Sequence, residues 1–276
     1  MTRFDELPEG CIATILSRTT PIDVGRFSVL SKIFRFAADS DDVWNHFLPS
    51  DISSILSQSP ALSNIPTKKA LYHALSDRPI IINHGQKSFQ LERKSGKKCY
   101  MLAARSLGIA WGDDDRYCNW IDVPDSRFPE VAYLRLVWWH EIRGVINDLA
   151  LSPNTRYAAY LVFKMIDAHG FRNLPVDLFV GIEGGLSNTK TDCLEPKLHG
   201  GYGWYCVLRE VEDIVVGLPR PSVRSDGWLE IEMGEFFNSS LEDEEIQMSV
   251  VEKFESDDEK GNFYLEGIEL RPKVDN

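Results

Sequence analysis

The hydrophobic periodicity of the chain changes near Pro79, and this change restricts the fold to a helical head followed by a β-rich body. Before Pro79, apolar residues such as Ile12, Ile15 and Leu16 recur at intervals of three and four, the spacing of an amphipathic helix. After Pro79, apolar and polar residues alternate, which is typical of half-buried strands. A chain of 276 residues is long enough for two such parts.

Helix-start signals divide the first 48 residues into short helices. Thr20 precedes Pro21, and Ser40 precedes two aspartates. Hydroxyl side chains accept backbone N–H groups at the start of a helix, where proline and acidic residues are also favoured. We therefore predict a small helical bundle over residues 1–48, with a break at Ser31. Residues 49–79, which are rich in serine and proline, are predicted to be a linker with one short helix.

The segments after Pro79 predict an antiparallel sheet protein, because no long helical pattern lies between them. The predicted strands are Ser88–Glu92 and Cys99–Ala103 as a hairpin, Val131–Ile142, Arg156–Ile166, Val176–Ile182, Gly203–Glu210, Trp228–Met233, Ile246–Phe254 and Phe263–Leu270. The fold class is thus α+β and multidomain, with a helical head and, over residues 80–276, an all-β antiparallel sandwich resembling a jelly roll.

Charge is distributed unevenly along the chain, whose net charge is −12. Residues 61–100 carry 8 basic and 2 acidic side chains, whereas residues 226–276 carry 4 basic and 16 acidic ones. The acidic C-terminal quarter disfavours nucleic acid as a partner, because phosphate would be repelled. No apolar run reaches the roughly 18 residues of a membrane span, and acidic residues stand where a signal peptide needs apolar ones. We therefore expect no membrane partner and a location in the cytoplasm and nucleus.

Motifs for catalysis and cofactor binding are absent from the sequence. There is no G-x-S-x-G, H-E-x-x-H or phosphate-binding loop, and the five cysteines form no C-x-x-C pair. Asp113-Asp114-Asp115 could hold calcium, but the usual 12-residue loop is missing. The carboxylates of 242–259 could supply a glycosidase pair, although so dense a run is more often a solvated face. We expect no enzyme activity, no cofactor and no metal.

The head resembles the F-box, the module that docks the Skp adaptor of SCF ubiquitin ligases. The matching residues, in order, are Leu7-Pro8-Glu9, Ile15-Leu16-Ser17, Pro21-x-Asp23, Phe27, Leu30-Ser31-Lys32, Phe34-Arg35 and Trp44. A module of about 45 residues has too small a core to be self-sufficient, so spare apolar surface would invite a partner. The resemblance implies a Skp-adaptor contact, with cullin reached through it, made by Leu7, Pro8, Ile12, Ile15, Leu16 and Leu30. The alternative is that such residues fill the core of the module, as expected of Phe27, Phe34 and Trp44.

The body resembles the plant phloem protein 2 lectins, also called Nictaba-like lectins, over residues 99–273. The matching segments include Leu102–Trp111, Tyr117-x-x-Trp120, Val131–Arg135, Tyr157–Lys164, Arg224–Ile231, Gly234–Asn238 and Gly267–Pro272. An F-box followed by this domain resembles the plant F-box proteins of the phloem protein 2-B type. Family members bind N-acetylglucosamine oligomers or N-glycans, so the resemblance implies a glycan or glycoprotein partner.

The carbohydrate site that this resemblance implies combines aromatic plates with carboxylates. Trp111 retains the first aromatic position, and Glu245 and Glu252 retain the two glutamates. Cys118 stands where the family lectin has its second tryptophan, and Trp120 either compensates for that loss or belongs to the core. An indole offers an apolar plate to the C–H face of a sugar, and carboxylates accept bonds from hydroxyl groups.

These observations together predict a non-catalytic subunit of a ubiquitin ligase. The head would bind the Skp adaptor, and the body would present a glycosylated target, whose local concentration at the ligase would rise. Two alternatives remain open at this point. The body could bind protein instead of sugar, or the chain could be a lectin whose head no longer engages a ligase.

Overall fold

A computed structural model describes residues 7–171, 174–182, 188–196, 217–239, 243–253 and 259–273. The chain divides into two compact units, Met1–Tyr100 and Met101–Asn276. The first is mostly helical and the second consists of antiparallel β-structure, as the sequence predicts. Within the described ranges, no helix is both long enough and apolar enough to cross a membrane.

The described part of the first unit contains six α-helices, four of which begin at a capping hydroxyl residue. They are α1 (Glu9–Leu16), α2 (Pro21–Phe27), α3 (Lys32–Asp39), α4 (Asp41–Phe47), α5 (Ile52–Ser57) and α6 (Lys68–Asp77). The hydroxyl oxygens of Thr20, Ser31, Ser40 and Thr67 each accept a backbone N–H of the helix that follows. Such caps satisfy donors that have no partner within the helix. The break predicted at Ser31 is therefore the start of α3.

The segment predicted as a linker carries more structure than expected. It holds α5 and the 3₁₀ turn Pro60–Leu62 as well as the predicted α6. Trp44 and Tyr72 have ring centroids 5.1 Å apart, which packs α6 against α4. The first unit also includes β1 (Ile80–Ile82) and β2 (Lys87–Leu91), which pair with each other. The predicted domain limits at residues 48 and 79 stay predictions.

The second unit is built from two antiparallel sheets. Its strands, after β3 (Lys98–Ala103), are β4 (Gly108–Ile109), β5 (Cys118–Ile121), β6 (Val131–Leu134), β7 (Glu141–Asn147), β8 (Thr155–His169), β9 (Pro175–Ile182), β10 (Asn188–Cys193), β11 (Ser222–Val223), β12 (Leu229–Asn238), β13 (Glu245–Glu252) and β14 (Gly261–Pro272). One sheet has the order β5-β6-β14-β8-β12-β11, and the other has the order β10-β9-β13-β7-β4.

The core of the second unit lies between the two sheets, and strands β7 and β13 show this by alternating buried residues with more accessible ones. Strand β13 buries Ile246, Met248 and Val250, whose register partners on β7 are Ile146, Gly144 and Ile142. At Gly144 the sheets approach so closely that a Cβ atom would lie 3.2 Å from Ile268 Cδ1 and 2.9 Å from Leu107 Cδ2. This interdigitation confirms the predicted sandwich.

Several strand predictions need correction. The predicted strand Val131–Ile142 is wrong, because β6 and β7 are separate strands that belong to different sheets. The chain passes from one sheet to the other between β6 and β7, so the apolar residues of this segment belong to two sheets although they look like one continuous strand in the sequence. Strands β5 and β10 were not predicted, since polar residues such as Asn119 and Lys190 obscure their alternation. The predicted strand Gly203–Glu210 lies outside the described residues.

Candidate functional site

Helix α1 divides the predicted adaptor contacts into a buried set and an exposed set. Ile12 and Leu16 are fully buried, so they belong to the core of the first unit. Ile15 is exposed, Leu30 has 64% of its surface exposed, and Leu7 and Pro8 keep accessible surface. A rigid partner can touch only the second set, so the predicted contact is limited to the accessible residues Leu7, Pro8, Ile15 and Leu30.

Further apolar side chains on the first unit are exposed and were not singled out from the sequence. Phe36 and Val29 are the most exposed of them. Phe27, predicted as core, keeps about a third of its surface accessible while its ring stacks on Phe34 at 6.0 Å. These residues add exposed apolar surface to the first unit. Helical spacing alone did not separate them from core residues, because α2 and α3 are only two turns long.

Trp111 lies at the top of the turn between β4 and β5, in a backbone conformation that bulky residues rarely adopt. Its φ is +68°, in the left-handed region where a Cβ atom crowds the following carbonyl group. The turn is closed by Gly112, whose N–H donates to the Ile109 carbonyl at 3.0 Å. A Cβ atom at Gly112 would lie only 3.0 Å from that same oxygen. Strain of this kind concentrates at functional sites.

Three aromatic rings meet around this turn and form what we call the aromatic cluster: Trp111, Tyr117 and Trp139. The Trp111 ring lies 4.8 Å from the Tyr117 ring and 5.8 Å from the Trp139 ring, measured between centroids. Trp111 Nε1 donates to the Trp139 carbonyl at 3.2 Å. Trp139 and its neighbour Trp138 each expose about 40% of their surface. Exposed tryptophans are unusual in a soluble domain unless they bind something.

Residues 137–140 present Trp138 and Trp139, and a buried lysine holds this segment in place. The Lys260 side chain has no exposed surface. Its Nζ donates to the Trp138 carbonyl at 2.7 Å, and its backbone forms a two-way bridge with Val137. The carbonyl that precedes Trp139 is therefore fixed from inside the domain. Rigid support of this kind pre-organises a binding surface.

Glu252, a predicted carbohydrate ligand, is the partner of this lysine. Its carboxylate is 3% exposed, with Oε1 3.0 Å from Lys260 Nζ, and its Oε2 accepts the His140 N–H at 3.2 Å. Burial raises the pKa of Glu252, and the neighbouring ammonium group opposes that rise. The residue therefore lies close to the aromatic cluster through segment 137–140, but its carboxylate faces inward. It is positioned to hold the cluster in place and not to touch a ligand.

His140 is buried beside the same ion pair. Its ring lies 4.9 Å from Phe171 and 5.4 Å from Phe263, and neither ring nitrogen has a hydrogen-bond partner among the described residues. Burial, reinforced by the Lys260 charge, lowers the pKa of His140 to about 3. The imidazole is consequently neutral at physiological pH.

Glu245 lies at the opposite end of β13 from Glu252, and on its other face. Seven residues separate the two, which corresponds to about 23 Å along an extended strand, and an odd separation places side chains on opposite faces. Glu245 is exposed and pairs in register with Asn147 of β7. The structure therefore does not bring the two predicted glutamates together, and it leaves Glu245 outside the neighbourhood of Trp111.

Cys118 and Trp120 share the core-facing side of β5. Cys118 is 1% exposed and pairs with Leu134, and burial raises the pKa of its thiol to about 11. A tryptophan at position 118 would overpack this site instead of providing a plate. Trp120 is half-buried, and the Arg105 guanidinium covers its ring at 3.8 Å. The guanidinium group of Arg105 therefore prevents a sugar from stacking on the ring face of Trp120 that it covers.

Acidic groups next to the cluster come from the turn itself. Asp113 and Asp115 are exposed, whereas the Asp114 carboxylate accepts bonds from Arg116, which lowers the pKa of Asp114. In the part of the chain that the structure describes, no group of three or more His, Cys, Asp or Glu residues is placed to hold a metal ion. The exposed pair can accept hydrogen bonds from a ligand that rests on the rings.

Comparison with known proteins identifies both parts of the chain. A family model for the F-box domain matches residues 4–46, and a model for phloem protein 2 matches residues 97–272. F-box protein PP2-B10 of Arabidopsis thaliana is 40% identical over 272 residues, which cover 98% of this chain and 94% of that protein. Two further Arabidopsis thaliana proteins match as well. Putative F-box protein PP2-B12 is 41% identical, with 98% of both chains covered, and F-box protein PP2-B1 is 37% identical, with 100% of this chain and 91% of that protein covered.

The matches run through both the helical unit with its exposed apolar residues and the β-sandwich that carries the aromatic cluster. Relatives at about 40% identity cover nearly the whole length in each case. The chain therefore belongs to the plant F-box proteins of the phloem protein 2-B type.

Proposed function

We propose that this protein is a substrate-recognition adaptor of an SCF-type ubiquitin ligase, with a body that binds N-glycans or N-acetylglucosamine-containing targets. The observation that carries the proposal is the presence, in one chain, of an F-box head with exposed apolar residues and a body with an exposed aromatic cluster. The adaptor has no chemistry of its own. It sets specificity by holding the target near the ligase.

The head binds the Skp adaptor, and through it cullin, by the exposed residues Leu7, Pro8, Ile15 and Leu30. Apolar side chains just before α1, on α1 and just after α2 lose water when they are covered, which stabilises the complex by about 25 cal/mol for each Å² buried. Ile12 and Leu16 support this surface from below, as core residues. Their truncation would weaken binding only by destabilising the head.

The body binds sugar at the aromatic cluster. The Trp111 and Trp139 rings supply plates for the C–H faces of pyranose rings, and Asp113 and Asp115 accept bonds from hydroxyl groups. The strained φ of Trp111 and the buried support beneath Trp138 favour a rigid site over an accidental patch. Glu252 acts indirectly, by holding segment 137–140, and Glu245 takes no part.

A glycan array with the full-length protein tests the sugar-binding half of the proposal, followed by titration of the best N-acetylglucosamine oligomer or N-glycan. Removing one stacking plate costs about 1–3 kcal/mol, so Trp139→Ala and Trp111→Ala should each bind about tenfold to a hundredfold more weakly. Phe237→Ala is the matched control, because Phe237 is an exposed aromatic residue on β12, away from the cluster. Absence of glycan binding by the folded wild type would leave the same surface to a protein ligand.

That alternative, a body that binds protein, has one observation in its favour. Cys118 stands where the family lectin has its second tryptophan. Because Cys118 is buried against Leu134, the site has no room for an indole ring. Exposed tryptophans also anchor protein interfaces. The array separates the two functions, because only the sugar-binding body responds to free oligosaccharide.

A further inference from the structure

The first unit contains a groove that includes neither the residues predicted to contact the Skp adaptor nor the proposed glycan site. It has a volume of about 590 Å³ and is bounded by α2, α4, α6 and the turn between β2 and β3. Ile22 and Val29 supply apolar walls, Trp44 forms the floor, and Arg26, Arg93 and Lys94 contribute basic groups. We call this feature the basic groove. Its size lies within the range of about 300–1,000 Å³ that is typical of ligand-binding clefts.

The basic groove is separate from the residues predicted to contact the Skp adaptor. Leu7, Pro8, Ile15 and Leu30 are absent from its lining. Of the ten described residues that line it, four come from α6 and the β2–β3 turn, which lie outside the F-box match that ends at residue 46. The groove therefore extends beyond the F-box match, although its exposed apolar residues Ile22 and Val29 lie within that match.

Charge selects the kind of ligand. Three basic side chains line the groove, and no acidic residue is among the described residues that line it. Arg93 and Lys94 also belong to the stretch 61–100 of the first unit, which has 8 basic and 2 acidic side chains, in a chain of net charge −12. A positive rim in an otherwise acidic protein favours a negatively charged partner and steers its approach.

The basic side chains remain available to such a partner. Arg26 pairs with Asp23 at 3.1 Å, and Arg93 pairs with Asp77 at 3.3 Å, but both arginines are at least 70% exposed. Exposed ion pairs contribute little free energy, about 0–1 kcal/mol each. An incoming carboxylate can therefore replace Asp23 or Asp77 at little cost.

The floor of the groove is rigid. Trp44 is buried, its Nε1 donates to the Ala38 carbonyl at 2.7 Å, and its ring lies 5.1 Å from that of Tyr72. The Tyr72 hydroxyl in turn donates toward the carbonyls of Glu92 and Arg93, at 3.2 and 3.1 Å. The wall that carries Arg93 and the floor made by Trp44 are thus joined through one side chain, so a ligand meets a preformed surface.

We propose that the basic groove binds an acidic peptide segment of a protein partner, with an apolar side chain inserted over Trp44 and flanking carboxylates held by Arg26, Arg93 and Lys94. The partner segment would place one or two leucine or phenylalanine residues between aspartates and glutamates. This surface gives the head a second contact beside the F-box surface. It is independent of the proposed sugar binding.

Fluorescence anisotropy with the full-length protein tests the proposal. The probe is a fluorescein-labelled 12-residue peptide in which leucine and phenylalanine alternate with aspartate and glutamate, and its twin carries lysine in place of every acid. The acidic probe should bind, more weakly at higher salt, and Arg93→Glu with Lys94→Glu should weaken it by about tenfold or more. Lys32→Glu with Arg35→Glu is the matched control, because these exposed bases of α3 do not line the groove.

Methyl NMR of the same samples locates the bound peptide. Shifts confined to Ile22 and Val29, with Ile15 unchanged, would support the groove as the site. The proposal is overturned if neither peptide binds at millimolar concentration, if both bind equally, or if the charge-reversed pair binds like the wild type. It is also overturned if the purified Skp adaptor itself shifts Ile22 and Val29, because the groove would then be part of the adaptor interface.

Discussion

The buried Lys260–Glu252 pair allows a sharp test of how the aromatic cluster is held in place. Replacing Lys260 by Met removes the ammonium group and leaves the Glu252 carboxylate, which is 3% exposed, without its positive partner. Breaking a buried ion pair from one side costs about 3–5 kcal/mol. The Trp138 carbonyl loses its donor at 2.7 Å in the same step. Since a typical domain is stable by only about 5–15 kcal/mol, the loss should be obvious.

The double variant Lys260→Met with Glu252→Leu should recover most of that stability. Neither side chain then carries a charge into the interior, and apolar replacements of a buried pair are often neutral or stabilising. The two single substitutions should therefore be strongly non-additive, with a coupling free energy of about 2 kcal/mol or more. Glu252→Leu alone should be destabilising, because it removes the negative charge that compensates the fully buried Lys260 ammonium group.

Urea unfolding followed by tryptophan fluorescence measures these free energies. Six of the seven tryptophans lie in the second unit, so the signal reports on the sandwich. Arg143→Met is a suitable control, because Arg143 forms an exposed ion pair with Glu141 on neighbouring β7. A loss below about 1 kcal/mol for Lys260→Met, or additive single and double variants, would refute the assignment of Glu252 to structural support.

Four further predictions concern the protonation of His140, the backbone of Trp111, the head surface and the sheet contacts. The pKa of His140 falls from 6.5 to about 3 on folding, so between these pH values the unfolded chain binds a proton that the folded chain does not. The free energy of unfolding should therefore decrease by about 2 kcal/mol between pH 7 and pH 5 in urea titrations. The variant His140→Phe should lack this part of the pH dependence. Trp111→Gly should be more stable than Trp111→Ala by about 1 kcal/mol, because glycine accepts a φ of +68°; equal unfolding midpoints would contradict this. Leu30→Asp should abolish pull-down by the Skp adaptor while Val223→Asp, an equally exposed position in the other unit, leaves it intact; retention by Leu30→Asp would place the contact elsewhere. Gly267→Ala should lower the free energy of unfolding by more than about 3 kcal/mol, because the new Cβ atom would lie 1.9 Å from the Leu102 carbonyl oxygen. Thermal melts followed by circular dichroism measure this loss, and an unchanged melting midpoint would contradict the predicted clash.

The helix starts and most strands could be predicted from the sequence, because they depend on neighbours in the chain. Thr20 caps α2 through a residue three positions away, and the continuous apolar run Tyr157–Phe163 marks β8 by itself. The family could be identified for a related reason. Its motifs are short segments whose order is visible without knowing where they meet.

The candidate site could be predicted only in part. Trp111 was found by resemblance, but Trp139 was not, because no local pattern marks a tryptophan that meets another one 28 residues away in sequence. The different roles of the two glutamates could not be predicted from the sequence either. Glu245 and Glu252 look alike in an acidic stretch, and only the position of Lys260 makes one of them a buried partner.

Burial, unlike capping or alternation, depends on which distant elements pack together. The amino-acid sequence determined the helical head, the antiparallel body and the family, since these follow from local periodicity and from motifs in order. The tertiary structure decided that Ile12 and Leu16 lie in the core while Ile15 and Leu30 face solvent. It also decided that Cys118 has no room for an indole and that segment 137–140 completes the aromatic cluster, because both depend on contacts between strands far apart in the chain.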